Sequence, residues 1–269
     1  MGSRHGSMGS GGSEAQKGMM SMNIDASTDI EGRRALTVTE RIAGRLLRLF
    51  ESYHHGQQAV CDVRDLDAEE RAGLKDWLGV GDVALRLDGE PRYGIQESCF
   101  AGLWWVGGAE AKMVFDGYVE VGTYPQVMRR RAGVNSDIPT MPERADVPAD
   151  LMNAPHVWSE ILAAVAAFAT TGASHVINLD LLPFTAGDHA WLDQCLGEGA
   201  ISAQSGGYGF CRVVNTRIRH VWRVRHYNAS GHLILHSLEV TDCPSAICAT
   251  PEDIADSKAR IVSSFADGS

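Results

Sequence analysis

The stretch LGVGDV at residues 78–83 returns as LGEGAI at residues 196–201, which lies 118 positions further along the chain. In both places a leucine that closes a helical apolar pattern is followed by two spaced glycines and then by a strand pattern. The same offset aligns residues with matching roles: Phe50 with Phe168, Asp67 with Thr185, Leu74 with Leu192, Trp104 with Trp222 and Val106 with Val224. Matches at caps, turns and apolar positions together predict an internal duplication, with units at 38–128 and 151–265.

Each unit reads as a helix, a strand, a second helix and three further strands. The second helix has a capping box at its start and a glycine at its end. These residues are Asp67, Glu70 and Gly79 in the first unit, and Thr185, Asp188 and Gly197 in the second. Three strands then form an antiparallel meander, whose long middle strand is 95–106 or 211–227. The predicted fold class is α+β: a duplicated α-β-α-β-β-β unit with helices packed on the sheet.

Composition and charge limit the possible functions. An apolar content of 44% with 22% charged residues is typical of a globular protein. The net charge of −10 argues against nucleic-acid binding, which needs an excess of Lys and Arg on the contact face. No apolar run approaches the roughly 18–20 residues of a membrane span. The six cysteines, scattered through apolar segments, predict reduced thiols in a cytosolic protein.

Two segments fall outside the predicted units. Residues 1–22 are rich in Gly and Ser and show no periodicity, so they predict an expression leader with a linker. Residues 129–150 begin with the arginine run Arg129–Arg131 and contain several prolines and acidic residues, and they predict the linker between the two units.

The segment RIRHVWRVRHY at 217–227 predicts an unusual surface. Read as one continuous strand, it points Trp222 and Val224 to one side and alternate basic residues to the other. A hairpin turn at NASG, 228–231, would place Tyr227 opposite His232, Arg225 opposite Ile234 and Arg223 opposite His236. The predicted cationic face comprises Arg217, Arg219, Arg223, Arg225, Tyr227, His232 and His236.

Three interpretations of this face remain open at the level of sequence. It is a solvated sheet surface, a docking surface for an acidic or carboxylate-bearing partner, or a metal or catalytic histidine site. The matching face of the first unit is apolar, with Cys99, Ala101, Leu103 and Trp105. Glu97 is a carboxylate in an otherwise apolar strand, and a structural ion pair or a functional role would explain it. Glu97 and Trp105 therefore join the candidate partner-binding residues.

Other motifs favour structural explanations. SGGYG at 205–209 lies between two strands, so it predicts a hairpin turn and not a phosphate loop, which a helix must follow. CPSAIC at 243–248 spaces its cysteines too widely for half of a typical zinc site, and buried thiols are expected there. The chain has no nucleophile elbow and no HExxH motif. The sequence therefore predicts no catalytic residue, no metal ligand and no cofactor.

Several ordered motifs resemble one known family. They are IQESCFAGLW (95–104), VINLDLLPFT (176–185), LGEGAI (196–201), GYGFCR (207–212), VWRVRHYN (221–228), LILHSLEV (233–240) and PEDIADS (251–257). Together they are similar to the HupH/HyaF-type hydrogenase expression proteins. The resemblance covers about 60–265 and is strongest in the second unit, which looks like the HupH C-terminal region.

The resemblance implies a cytoplasmic accessory protein of [NiFe]-hydrogenase maturation. It implies a non-enzymatic chaperone that binds the immature iron–sulfur small subunit before export, with other maturation proteins as further partners. No catalytic residue carries over from the family. Two alternatives remain: an Fe–S or metal carrier that uses Cys211, Cys243, Cys248 and nearby histidines, or a small-molecule enzyme that uses Glu97 and the His/Arg face.

Overall fold

The structure is a computed structural model that describes residues 42, 44–54, 59–108, 117–132, 148, 150–207 and 209–266. These residues belong to the unit Val38–Ser269. The predicted leader at 1–22 lies outside the described residues, and so does most of the predicted linker. The start of that linker is helical instead, because a helix continues to Ala132.

Helices and strands follow the same order in the two halves. The first half contains α1 (44–52), β1 (Ala59–Asp62), α2 (Ala68–Leu78), β2 (Val83–Leu87), β3 (Tyr93–Glu97), β4 (Leu103–Gly108), β5 (Tyr118–Val121) and α3 (Gln126–Ala132). The second half contains α4 (Ala154–Thr171), β6 (His175–Asn178), α5 (Ala186–Leu196), β7 (Ile201–Ser205), β8 (Gly209–Asn215), β9 (Val221–Asn228), β10 (Leu233–Val240) and α6 (Pro251–Ala266). Short 3-10 turns at Leu179–Leu181 and Ser245–Ile247 follow β6 and β10.

The ten strands of the described residues form one antiparallel sheet in the order β1-β5-β4-β3-β2-β7-β8-β9-β10-β6. The halves join at its centre, where β2 pairs with β7 from Val83 opposite Ser205 to Leu87 opposite Ile201. Outward from this junction each half runs through a four-strand meander to an edge strand taken from its own start. The α+β class is therefore confirmed, and the sheet continues from one half into the other.

The prediction of a three-strand meander is wrong, because each long middle strand is two antiparallel strands. In the first half the chain reverses between Glu97 and Leu103, where Gly102 has a φ of 77°. A Cβ at Gly102 would lie 2.4 Å from Ile254 Cγ1, so both the turn and the packing require glycine. In the second half the reversal uses Thr216, whose hydroxyl accepts from the Ile218 N–H, and His220, whose φ is 66°.

The predicted boundaries of α2 and α5 are confirmed. Asp67 and Glu70 form a capping box on α2, and Thr185 and Asp188 form one on α5. Both helices end at the leucine of their LGxG motif, and the glycine that follows has a φ of 58° in each case. Local side-chain chemistry therefore determines where these helices start and stop.

Three apolar clusters lie between the sheet and the elements that pack on its two faces. On one face, α1, α2 and α6 cover the first half, and α4 with α5 covers the second. On the opposite face, α3 and the turn Ser245–Ile247 cover a cluster that spans the junction of the halves. We call it the junction cluster, and it includes Trp104, Val106, Trp222 and Val224. Two neighbouring tryptophans of β4 point to opposite faces of the sheet: Trp105 packs in the cluster under α1, α2 and α6, and Trp104 packs in the junction cluster.

The apolar strand face proposed for partner binding is part of the core. Leu103 is 0% exposed and Trp105 is 1% exposed, because the C-terminal helix α6 packs over this region through Ile254 and Ile261. Trp105 is therefore corrected from a surface residue to a packing residue. Among the described helices, none is long and apolar enough to cross a membrane.

Candidate functional site

Strand β9 carries the centre of the predicted cationic face. Trp222 and Val224 are buried in the junction cluster, as the alternation predicts, while Arg223 and Arg225 point to the other side of the sheet with Tyr227. Arg217 and Arg219 do not belong to this face, because they lie in the turn that precedes β9. The predicted row of four arginines on one strand is therefore wrong.

The register of the β9–β10 hairpin also differs from the prediction. Leu233 pairs with Tyr227, but Leu235 pairs with His226, so Ile234 is an extra residue at an irregularity in β10. His236 consequently lies opposite Arg225 instead of Arg223. His232 lies in the hairpin loop, where its backbone N–H donates to the side-chain oxygen of Asn228 at 2.9 Å. His232 is exposed and does not face Tyr227.

Arg225 and His236 form the best-defined contact of the site. Arg225 Nε donates to His236 Nε2 at 3.4 Å, and the rings of His236 and His189 stack with centroids 6.1 Å apart. Asp180 fixes the strand here, because its carboxylate accepts from the His236 backbone N–H at 2.6 Å. Burial, and then the charges of Arg225 and Arg223, lower the pKa of His236 to about 4. His236 is therefore neutral near pH 7 and can accept the arginine's hydrogen bond.

Arg223 is an anchor for α5 and not an exposed contact residue. Its side chain is 8% exposed, and its Nη2 lies 2.7 Å from Asp193 Oδ1 on α5. Burial lowers the pKa of Arg223, and the carboxylate of Asp193 opposes that effect. The structure therefore removes Arg223 from the surface on which a partner would dock.

The exposed part of this sheet face extends onto β7 and β8. Arg212 lies opposite Arg225 in the β8–β9 register, and Gln204 lies opposite Arg212 on β7, so their side chains share one face. Phe210 stacks on Tyr227 with ring centroids 4.5 Å apart. We call Gln204, Phe210, Arg212, Arg225 and Tyr227 the cationic strip.

The sequence prediction missed three members of the strip, Gln204, Phe210 and Arg212. Arg212 sits between the buried residues Cys211 and Val213, and this alternation was a usable signal for an outward-facing side chain. Phe210 gave no such signal, since its role depends on the β8–β9 register. His189 also lay outside the prediction, because it reaches His236 from α5.

Glu97 lies away from the strip. It is 7% exposed, and its Oε1 accepts from the Gly102 N–H at 3.1 Å. Burial raises the pKa of Glu97 while the hydrogen bond from Gly102 lowers it. Glu97 thus stabilises the β3–β4 turn through a backbone amide, so the predicted structural ion pair is replaced by a capped turn.

Arg219 lines a different feature, a small surface cleft that includes Arg129, His220, Trp222 and Asp242. His220 Nδ1 lies 3.0 Å from Asp242 Oδ1. Burial lowers the pKa of His220, although Asp242 acts in the opposite direction. Arg219 and the strip are thus parts of two separate surfaces.

The cysteines do not assemble with histidines into a metal centre in the described part of the chain. No three His, Cys, Asp or Glu side chains of those residues come together in a way that could hold a metal ion. Cys211 Sγ lies 3.9 Å from His226 Nε2, whereas Cys243 and Cys248 are joined by a disulfide. The prediction of six reduced thiols is therefore wrong for this last pair.

The fold and the strip define an α+β protein with an arginine- and aromatic-lined sheet surface. Residues 151–266 match the model of the HupH hydrogenase expression protein C-terminal conserved region. On this match and on the relatives described next, the chain belongs to the HupH/HyaF family of hydrogenase expression proteins.

Three relatives illustrate the similarity. The hydrogenase expression/formation protein HupQ of Azotobacter chroococcum is 40% identical over 81% of this chain and 77% of its own length. HupH of Rhodobacter capsulatus is 37% identical over 87% of this chain and 82% of its own. The hydrogenase-1 operon protein HyaF of Escherichia coli is 32% identical over 77% and 72%. A solved structure of HupH from Thiobacillus denitrificans is 31% identical and covers 43% of this chain and 96% of its own, with a TM-score of 0.40.

Proposed function

We propose that this chain is a non-enzymatic accessory protein of hydrogenase maturation that acts in the cytoplasm. Its relatives carry the names of hydrogenase expression and formation proteins, and the family match supports the same role here. In this role the chain binds the immature iron–sulfur small subunit before export and holds it as a chaperone does.

The cationic strip is the observation that carries the proposed binding role. Arg212 and Arg225 lie side by side on neighbouring strands of a chain whose net charge is −10, so the strip contrasts with the acidic molecule around it. Arginine binds carboxylates through paired hydrogen bonds. The stacked rings of Phe210 and Tyr227 add flat apolar area beside these charges. Arginine and aromatic residues are the types that dominate binding energy at protein interfaces.

The internal duplication belongs to the same proposal. Its support is the mirrored strand order about the β2–β7 junction and the matched caps of α2 and α5. Equivalent tryptophans also bond equivalent carbonyls: Trp104 Nε1 donates to Gly122 O at 2.8 Å, and Trp222 Nε1 donates to Thr241 O at 3.0 Å. After duplication, α1, α2 and α6 came to cover this sheet face of the first half, whereas α4 and α5 left the polar strip of the second half open to a partner.

Charge reversal of the strip tests this function. The change is Arg212→Glu with Arg225→Glu, measured as capture of the purified small-subunit precursor across a salt series. We expect about tenfold weaker capture at low salt and a smaller difference at high salt, because exposed charges are screened over roughly 8–10 Å.

A matched control carries the same change of net charge elsewhere. Arg48→Glu with Arg92→Glu alters two exposed arginines of the first half, and this variant should bind as the parent does. Circular dichroism establishes that both variants are folded. If the strip variant and the control capture the precursor equally at every salt concentration, the strip is a solvated surface and the proposed docking is wrong.

A further inference from the structure

Cys243 and Cys248 lie at the two ends of a small loop that follows β10. Their Cα atoms are 6.6 Å apart, which is within the range that a disulfide spans, and the structure joins them. The other described cysteines, Cys61, Cys99, Cys195 and Cys211, are free. One pair in the described chain is therefore placed for intramolecular thiol–disulfide chemistry.

The backbone holds the pair together without help from the sulfur atoms. Within the loop, the Ile247 N–H donates to Pro244 O at 3.1 Å, and Ile247 is fully buried in the junction cluster. Just beyond it, the Ala249 N–H donates to Thr123 O at 2.9 Å. These contacts do not depend on the bond between the cysteines, so the loop keeps its sulfur atoms close when they are reduced.

A bond across so short a loop adds less stability than one that closes a long loop, because it removes little freedom from the unfolded chain. Cys243 and Cys248 are separated by only five positions. The fold around them already has a large buried core on both sheet faces. A purely stabilising role is therefore a weak explanation for this disulfide.

Solvent can reach both residues. Cys243 and Cys248 are half-buried at the surface, and Ser245 between them is exposed. Cys211 provides the contrast, since it is 6% exposed and burial raises its pKa to about 11. A thiol that is both accessible and near a second thiol exchanges with disulfides in solution, whereas a buried thiol with a high pKa does not.

We propose that Cys243 and Cys248 are a reversible redox pair whose oxidant is a disulfide, either glutathione disulfide or a disulfide of another protein. One cysteine thiolate attacks the oxidant and forms a mixed disulfide, releasing the first thiol. The second cysteine then attacks the cysteine sulfur of that mixed disulfide and releases the second thiol. The protein dithiol loses two electrons and two protons, and the oxidant becomes two thiols.

Mass spectrometry of the full chain tests the proposal. The protein is equilibrated without oxygen in buffers of graded reduced to oxidised glutathione, quenched in acid and alkylated at every remaining thiol. We expect one step in which two thiols are lost together as the buffer becomes more oxidising, with both mapped to Cys243 and Cys248. A reducing buffer should reverse the step.

Two variants show whether the pair acts as a unit. Cys248→Ser should abolish the two-thiol step and leave Cys243 as a mixed disulfide with glutathione. Cys99→Ser, which removes an exposed free thiol, should leave the step unchanged. The proposal fails if the parent protein is alkylated at both sulfurs at every glutathione ratio. It also fails if excess reductant leaves the bond intact in the folded chain, because the pair is then only structural.

Discussion

Glu120 is a carboxylic acid with an exposed fraction of 0% on β5. Its Oε1 accepts from the Gln126 N–H at 2.8 Å, and its Oε2 has no hydrogen-bond partner among the described residues. Burial raises the pKa of Glu120 to about 7, while the hydrogen bond and Arg130 lower it. The folded chain therefore keeps a proton that the unfolded chain releases near pH 4.5.

The stability contributed by this group is fully present below about pH 4.5 and is lost as the pH rises to about 7. Glu120→Gln mimics the protonated form, so we expect it to raise the free energy of unfolding by about 1–3 kcal/mol at pH 8 and to change it little at pH 5. Urea unfolding at the two pH values measures this. Glu51→Gln, at an exposed carboxylate of α1, is the control. Equal effects of the two substitutions at pH 8 would contradict the role of burial.

At the scale of single residues, the sequence predicted contacts correctly where a side chain bonds to residues close to it in the sequence. The capping pairs Asp67 with Glu70 and Thr185 with Asp188 were predictable because each bond spans three residues. The partner of Glu97 was not, since the accepted N–H belongs to a turn that the prediction did not contain. The burial of Arg223 was missed for a similar reason, because Asp193 reaches it from another element.

At the scale of elements, Arg223 fastens α5 to the sheet whereas Arg225 faces the open strip. We expect Arg223→Glu to lower the free energy of unfolding by about 2–4 kcal/mol, because it places a second carboxylate beside Asp193 at a buried position. Arg225→Glu should cost less, about 1 kcal/mol, since that side chain is partly solvated.

Urea unfolding of the two single variants compares them directly. The variants share a strand, a face and the same change of charge, so their difference isolates the effect of burial and of the contact with α5. An Arg223→Glu variant as stable as Arg225→Glu would show that the ion pair does not hold the helix.

The predicted elements failed where a turn interrupts an apolar run. The segments 95–106 and 211–227 contain apolar residues on both sides of their turns, so periodicity alone does not locate the reversal. Gly102 was a visible signal for the first turn. The second turn uses Thr216 and a left-handed His220, which are uncommon at such positions. Because the prediction treated 211–227 as one strand, it placed Arg217 and Arg219 on the wrong surface.

At the scale of the whole molecule, the two halves are joined through a shared core as well as through the sheet. The junction cluster contains Trp104 and Val106 from the first half with Trp222 and Val224 from the second. The spacing of 118 residues predicted equivalent roles for these tryptophans, but not that one cluster would contain both. The two units meet where β2 pairs with β7. The sequence carried no signal that these two strands would pair.

A shared core predicts that the described fold unfolds as one unit. Trp104 is 0% exposed and Trp222 is 1% exposed, so Trp104→Ala and Trp222→Ala should each lower the free energy of unfolding by about 3–5 kcal/mol. Each variant should shift a single transition, seen at the same urea concentration by circular dichroism and by fluorescence. Because the junction cluster contains residues of both halves, a substitution in either half should lower the free energy of unfolding of the whole described fold. Two separate transitions, of which each substitution moves only its own, would instead mean that the halves fold independently and that their junction contributes little to stability.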